Sequence, residues 1–159
     1  MSNNDNDQSL RDHLVTALDS EHAHLKFDAA VKDFPPPLRG RRPAGGPHSA
    51  WELLEHLRIT LWDILEFTRN AKHISPDFPK GYWPTGEAPP DAAAWDRSVE
   101  AYRRDLETMA AIVRDTNVDL HAPLAHGEGQ TPLREVLLAI DHNAYHLGQL
   151  VTVKRLLGG

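Results

Sequence analysis

Apolar residues recur at intervals of three and four along four stretches of the chain, the spacing of one buried face of an α-helix. The first stretch has a candidate N-cap at Ser9 and apolar positions from Leu10 to Ala29. The second opens on Ser49 and Glu52, a capping-box pattern. Its apolar stripe consists of Leu54, Leu57, Leu61 and Leu65. We therefore predict helices from about residue 9 and from about residue 50.

Two more stretches show the same periodicity. In the third, Asp91 is the predicted N-cap. Its apolar positions are spaced alternately four and three apart, as in helix bundles: Trp95, Val99, Tyr102, Leu106, Met109 and Val113. The fourth helix is predicted to begin at Thr131 and Pro132, an N-cap followed by an N1 proline, and to end before Gly158.

Segments rich in proline and glycine, FPPPLRGRRPAGGP and SPDFPKGYWPTGEAPP, lie between these stretches. Such segments interrupt helices, and no part of the chain shows a convincing strand pattern. Four helices of this length predict an all-α fold, a four-helix bundle with long connections. We expect residues 1–8 to be disordered and residues 9–159 to form a single domain.

Composition narrows the class of protein. The formal net charge is −6, which argues against a general nucleic-acid-binding protein. No apolar run approaches the roughly 20 residues that span a bilayer, and the first ten residues are polar and acidic, unlike a signal peptide. The chain has no cysteine and ten histidines. We expect a cytoplasmic protein without nucleic-acid or membrane partners, and the histidines direct attention to metal binding.

Two histidines in the segment DHNAYHLGQL have the spacing of metal ligands. His142 and His146 are four residues apart, so on a helix they project from one face about 6 Å apart along the axis. His56, on the apolar second helix, is the predicted third ligand. Three buried, unpartnered imidazoles would each cost roughly 1–3 kcal/mol. One ion would satisfy all three, and hydrogen-bonded core histidines are the alternative.

Three neutral imidazoles leave open positions on an ion, which is typical of a catalytic rather than a structural site. Zinc, nickel and ferrous iron all accept such ligands. The motif differs from that of the zinc metalloproteases, because Asn143 stands where HExxH carries its glutamate.

Other polar residues are candidates for the same site. Gln149, three residues beyond His146, is the candidate catalytic residue and would orient a bound water or a substrate group, although an interhelical hydrogen bond also explains it. Glu52 and Glu135 are candidates to hold an imidazole in one tautomer. Glu52 already has an explanation as a capping residue.

Two further histidines are candidate pocket residues. His24 lies near the inner stripe of the first predicted helix, where a hydrogen-bonded core histidine is the alternative. His126 lies in the polar segment HGEGQT, which we predict covers the pocket, although turn formation alone accounts for its glycines.

The segments WELLEHL and DHNAYHLGQL, in this order, resemble the DinB/YfiT-like superfamily of metal-dependent enzymes. Its members are four-helix bundles with one histidine on the second helix and two at HxxxH spacing on the last, often continuing HxGQ. The resemblance implies that His56, His142 and His146 are the metal ligands, followed by Gly148 and Gln149. The segments GYWP and HGEGQTPLREVLL extend the likeness over roughly residues 20–158.

The resemblance also implies an activity. Characterised relatives include thiol-dependent S-transferases and isomerases that use bacillithiol, mycothiol or glutathione; members are often labelled hydrolases, and many are homodimers. We therefore expect a homodimeric, divalent-metal-dependent enzyme that acts on a small-molecule substrate with a low-molecular-weight thiol or water. The alternative is a non-catalytic, metal-stabilised stress-response or binding module.

Overall fold

The computed structural model describes residues 3–19 and 23–158. In these ranges the chain forms five α-helices: α1 (Asn3–Leu18), α2 (Phe27–Val31), α3 (Ala50–Arg69), α4 (Ala94–Arg114) and α5 (Pro132–Leu156). The described residues contain no strand, so the predicted all-α fold is confirmed. None of the described helices is long and apolar enough to cross a membrane.

The four long helices pack as a bundle. α3 lies against α4 and α5, and α1 lies against the same two helices from the other side. The apolar stripe predicted for the second helix is buried between them, with Leu54, Leu57, Leu61 and Leu65 all fully inaccessible. The stripe of α4 is buried too, apart from the partly buried Leu106.

Two of the predicted helix starts are confirmed by their cap geometry. The Ser49 hydroxyl accepts a hydrogen bond from the Glu52 backbone N–H at 3.2 Å, and the Glu52 carboxylate accepts one from the Ser49 N–H at 2.7 Å. Thr131 caps α5 by accepting from the Arg134 N–H at 3.1 Å, and Pro132 occupies the first helical position. These caps set the starts of the two helices that carry the candidate ligands.

The first helix differs from its prediction at both ends. It begins at Asn3 rather than Ser9, so residues 3–8 are already helical. Asp5 lies in its first turn, where a negative charge is favourable, and Asp7 pairs with Arg11 one turn later at 2.7 Å. It ends at Leu18 rather than Ala29, and the next described helix along the chain is α2. Residues 20–22 of the predicted helix lie outside the described residues.

The predicted cap of the third helix is also displaced. α4 begins at Ala94 after Ala93, whose side chain makes no cap hydrogen bond. Asp91 accepts instead from the Ala93 N–H at 2.9 Å and pairs with Arg97 at 2.7 Å. An aspartate that bonds two residues ahead forms a local turn, which delays the helix.

Arg11 ties α1 to the end of α4. Its side chain is 3% exposed, and its guanidinium donates to the carbonyl oxygens of Val113, Asp115 and Val118 at 2.7, 3.0 and 2.8 Å. These carbonyls lie at and beyond the last turn of α4, where backbone acceptors lack helical partners. One buried cation thus holds the first helix in the bundle.

Replacing Arg11 with methionine is expected to destabilise the fold by about 2–4 kcal/mol, because three carbonyls lose their donor. Urea unfolding measures the loss. The matched control is Arg114→Met, which removes an arginine paired with Glu107 at the surface; it should cost less than about 1 kcal/mol. Equal losses in the two variants would show that the buried network has no special role.

Candidate metal centre

Helices α3 and α5 bring three histidines together. His56 lies in the second turn of α3, and His142 and His146 lie one turn apart on the face of α5 that meets it. The Nε2 atom of His56 is 3.0 Å from Nε2 of His142 and 3.1 Å from Nε2 of His146. One nitrogen from each of the three lies within 4.8 Å of the others.

Hydrogen bonds to the far side of two rings define which nitrogen carries the proton. Nδ1 of His56 donates to the backbone carbonyl of Tyr82 at 2.8 Å, and Nδ1 of His146 donates to Oε1 of Gln149 at 2.8 Å. Because a neutral imidazole carries one proton, Nε2 of each ring presents a lone pair to the centre of the cluster. Nδ1 of His142 is buried and has no hydrogen-bond partner in the part of the chain described.

Burial keeps all three rings neutral. It lowers the pKa of His56 to about 4 and, with the neighbouring His146, the pKa of His142 to about 3. The pKa of His146 is lowered as well, again chiefly by burial. At neutral pH the cluster therefore holds unprotonated nitrogens in the form that binds a metal ion.

These nitrogens fit a divalent metal ion. The Nδ1 protons of His56 and His146 are donated elsewhere, so their Nε2 lone pairs face each other at 3.1 Å and repel. Two nitrogens bound to one zinc ion at about 2.0–2.1 Å lie roughly 3–3.5 Å apart, which matches the observed spacing. Two of the three nitrogen separations thus match those around one ion, and the three histidines could hold a metal ion together.

An aromatic residue from the connection between α3 and α4 covers the cluster. The ring of Trp83 stacks on His56, with ring centroids 3.9 Å apart and an interplanar angle of 1°. On its other side Trp83 stacks on His48, with centroids 4.1 Å apart. His48 was not among the predicted site residues, because it precedes the cap of α3 and belongs to no periodic pattern.

The acceptor for His56 is itself held by α3. Asp63, two turns after His56, accepts hydrogen bonds from the Tyr82 hydroxyl and from Nε2 of His73, both at 2.7 Å. Burial and the bond to Asp63 raise the pKa of Tyr82 to about 12, so the hydroxyl remains a donor. This network, which no local sequence pattern predicts, fixes the position of the Tyr82 carbonyl and thereby the tautomer of His56.

The remaining candidate residues do not join the cluster. Glu52 forms its capping box and a two-point ion pair with Arg42, at 2.6 and 3.0 Å. Glu135 is buried and pairs with Arg134 at 2.8 Å. Neither carboxylate contacts an imidazole of the cluster, because each is already engaged by an arginine.

The two predicted pocket histidines also lie elsewhere. His24 is exposed in the connection after α1, because the first helix ends before it. Its Nδ1 is 3.2 Å from the Leu25 carbonyl. His126 is exposed, and its Nε2 donates to the Phe67 carbonyl at 2.7 Å near the far end of α3. Of the candidates beyond the three ligands, Gln149 alone contacts the cluster.

The histidine cluster predicts a pH dependence for the stability of the metal-free protein. Between the folded pKa values of about 3 to 4 and the unfolded value, the unfolded chain binds more protons at His56 and His142. The free energy of unfolding is therefore highest above about pH 6.5. It falls as the pH decreases below that value, by about 1.4 kcal/mol per pH unit for each histidine. His142→Asn should reduce this slope in urea unfolding, whereas His121→Asn, at an exposed position, should not. Identical slopes in the two variants would contradict the assignment.

The Tyr82 network predicts a change that needs no metal to detect. Tyr82→Phe removes the hydroxyl that anchors the connection to Asp63, so His56 should lose its single tautomer. The fraction of His56 protonated at Nδ1 is measured from imidazole ¹⁵N chemical shifts. Tyr145→Phe makes the same chemical change on an exposed ring and should leave the tautomer intact. If both variants preserve it, the Tyr82 hydroxyl does not position the carbonyl.

The chain matches one known protein family over most of its length. A family model described as the DinB superfamily matches residues 20–150, a range that contains all three histidines. Comparison with curated proteins gave no match, and comparison with solved structures gave none either. The match covers most of the chain and agrees with the all-helical fold. The resemblance of the two histidine segments is thus confirmed, and the chain belongs to the DinB superfamily.

Proposed function

We propose that the protein is a metal-dependent enzyme acting on a small molecule, with His56, His142 and His146 as the ligands of one divalent ion. The observation that carries the proposal is the convergence of three neutral imidazoles, with Nε2 of His56 at 3.0 Å from Nε2 of His142 and at 3.1 Å from Nε2 of His146. Zinc, nickel and ferrous iron all suit three neutral imidazoles. Such an ion has coordination positions left over, and it lowers the pKa of a thiol or water bound there.

The residues of the chain prepare the site for that chemistry. The Tyr82 carbonyl and the Gln149 amide oxygen each accept an Nδ1–H, which orients His56 and His146 with Nε2 toward the ion. Trp83 lies flat on His56 and excludes water from that side. Gln149 is therefore a positioning residue through its amide oxygen, and its amide nitrogen is available to donate a hydrogen bond to a substrate.

Two reactions remain within this proposal. A low-molecular-weight thiol as cosubstrate would make the protein an S-transferase, and water in its place would make it a hydrolase. The cytoplasmic location and the homodimer expected from the sequence stay predictions.

The second candidate is a structural role, in which the metal ion stabilises the bundle and the protein catalyses no reaction. The observation that favours it is the position of the cluster, because one ion would join α3 to α5. Such a link would raise the stability of the holo-protein by mass action. The stress-response or binding module considered above belongs to this candidate.

Metal content tests both candidates. Untagged protein that is reloaded with Zn²⁺, Ni²⁺ or Fe²⁺ should contain one ion per chain, and His142→Ala should abolish binding because two nitrogens remain. His126→Ala, outside the cluster, should bind as the parent does. Elemental analysis that finds no ion in the reloaded parent protein would refute both.

Activity separates the two candidates. A panel that pairs thiols, or water alone, with small electrophiles should give turnover in the loaded parent. His142→Ala should keep the fold, as seen by circular dichroism, and lose that turnover. A large fall in melting temperature, together with no turnover in the loaded parent, would instead favour the stabilising role.

A further inference from the structure

A cavity of about 480 Å³ lies beside the histidine cluster, between the last turns of α5 and the segment that leads into α3. Its walls include Pro43, His48, Leu53, Tyr145, Gly148 and Gln149. The volume falls in the range of about 300–1,000 Å³ that is typical of small-molecule sites. Nothing derived above assigns this space a ligand.

The cavity is continuous with the residues that surround the cluster. Gln149 lines the cavity and accepts a hydrogen bond from His146, and the Tyr145 ring packs edge-on against His146 with centroids 4.8 Å apart. His48 lines it from the other side and stacks on Trp83, which in turn stacks on His56. A molecule in the cavity would therefore lie one residue away from the candidate ligands.

The lining lacks the residues that are always charged near neutral pH. None of the described residues that form it is Asp, Glu, Lys or Arg. Arg42 adjoins the cavity in sequence, yet its guanidinium pairs with both Glu52 and Glu87, at 2.6 and 3.2 Å. A carboxylate placed in this space would lose water and meet no lysine or arginine of the lining, which is costly.

One polar group of the lining is available to a ligand. The Oε1 atom of Gln149 is occupied by His146, whereas its Nε2 amide group has no hydrogen-bond partner in the described part of the chain. An amide NH₂ donates only, so it would select an acceptor such as a carbonyl or nitro oxygen. The same side chain would then link the ligand to the orientation of His146.

The surface of α5 beside Gln149 is open at Gly148. A Cβ atom at Gly148 would meet no heavy atom within 4 Å. A side chain introduced at this position would therefore extend into free space beside the cavity.

We propose that this cavity binds the substrate of the metal-dependent reaction, and that the substrate is an uncharged, predominantly apolar molecule carrying a hydrogen-bond acceptor for Gln149. The apolar body lies against Leu53, Val153 and Leu156, and the acceptor faces the Gln149 amide. The assignment of a substrate rests on the proposed function, whereas the binding preference depends on the cavity alone.

A matched pair of probes tests the preference: acetophenone, which is neutral, and benzoate, which has the same ring and a charge. In ¹H–¹⁵N spectra of the full chain, acetophenone should shift the Gln149 side-chain amide and the Gly148 backbone amide. Benzoate should bind at least about tenfold more weakly, because its carboxylate is desolvated without a partner. Benzoate binding as well as acetophenone, or acetophenone shifting neither amide, would overturn the proposal.

Two variants fill the cavity from adjacent turns of α5. Gly148→Phe places a ring in the free space, and Thr152→Leu extends an exposed lining residue. Each variant should bind acetophenone about tenfold more weakly than the parent, or weaker still. Gly148→Ala is the control, because a methyl group leaves most of the volume open. Circular dichroism identifies a variant that fails to fold, and the test then relies on the variant that does fold. Unchanged binding in a folded filling variant counts against the cavity.

The metal separates this inference from the proposed function. His142→Ala should lose the ion and still bind acetophenone, since no lining residue changes. Acetophenone bound in the cavity of a parent that takes up no metal would support the binding preference and defeat the proposed enzyme. A loaded, active parent whose spectra show no acetophenone in the cavity would defeat the inference alone.

Discussion

The site depends on the mutual repulsion of imidazole nitrogens that the fold forces together. His56 meets both His142 and His146 through Nε2 at about 3 Å, and burial prevents their protonation near neutral pH. The Nδ1 protons of His56 and His146 are donated outward, so their Nε2 lone pairs face each other at 3.1 Å, and a bound cation would remove that repulsion. A bound metal ion would thus answer a constraint that the packing of α3 on α5 creates.

The connections between helices, rather than the helices alone, complete this centre. The segment before α4 supplies both the Trp83 ring and the Tyr82 carbonyl to His56, and Asp63 anchors it through the Tyr82 hydroxyl. The segment before α3 supplies His48 to the outer face of Trp83. Both connections pack against the site, in keeping with the functional role of long ordered loops.

Helical periodicity and residue spacing predicted much of the fold and the three histidines that the structure brings together. The apolar stripes of α3 and α4 are buried as predicted, and the caps at Ser49 and Thr131 are present. Local signals failed where a break had no glycine or proline, as between Leu18 and Phe27, and where Asp91 formed a turn instead of a cap. They also failed for His24, whose predicted approach to the site depended on a helix that ends before it.

The sequence by itself determined the features that lie within a single helix. A spacing of four residues places His142 and His146 on one face whatever surrounds them, and a capping box needs only its own first turn. Tertiary structure alone decided which distant groups meet: Asp63 with Tyr82, Glu52 with Arg42, and His48 with Trp83. These contacts join different segments, and their distances follow from how helices and connections pack. Local periodicity carries no information about that packing.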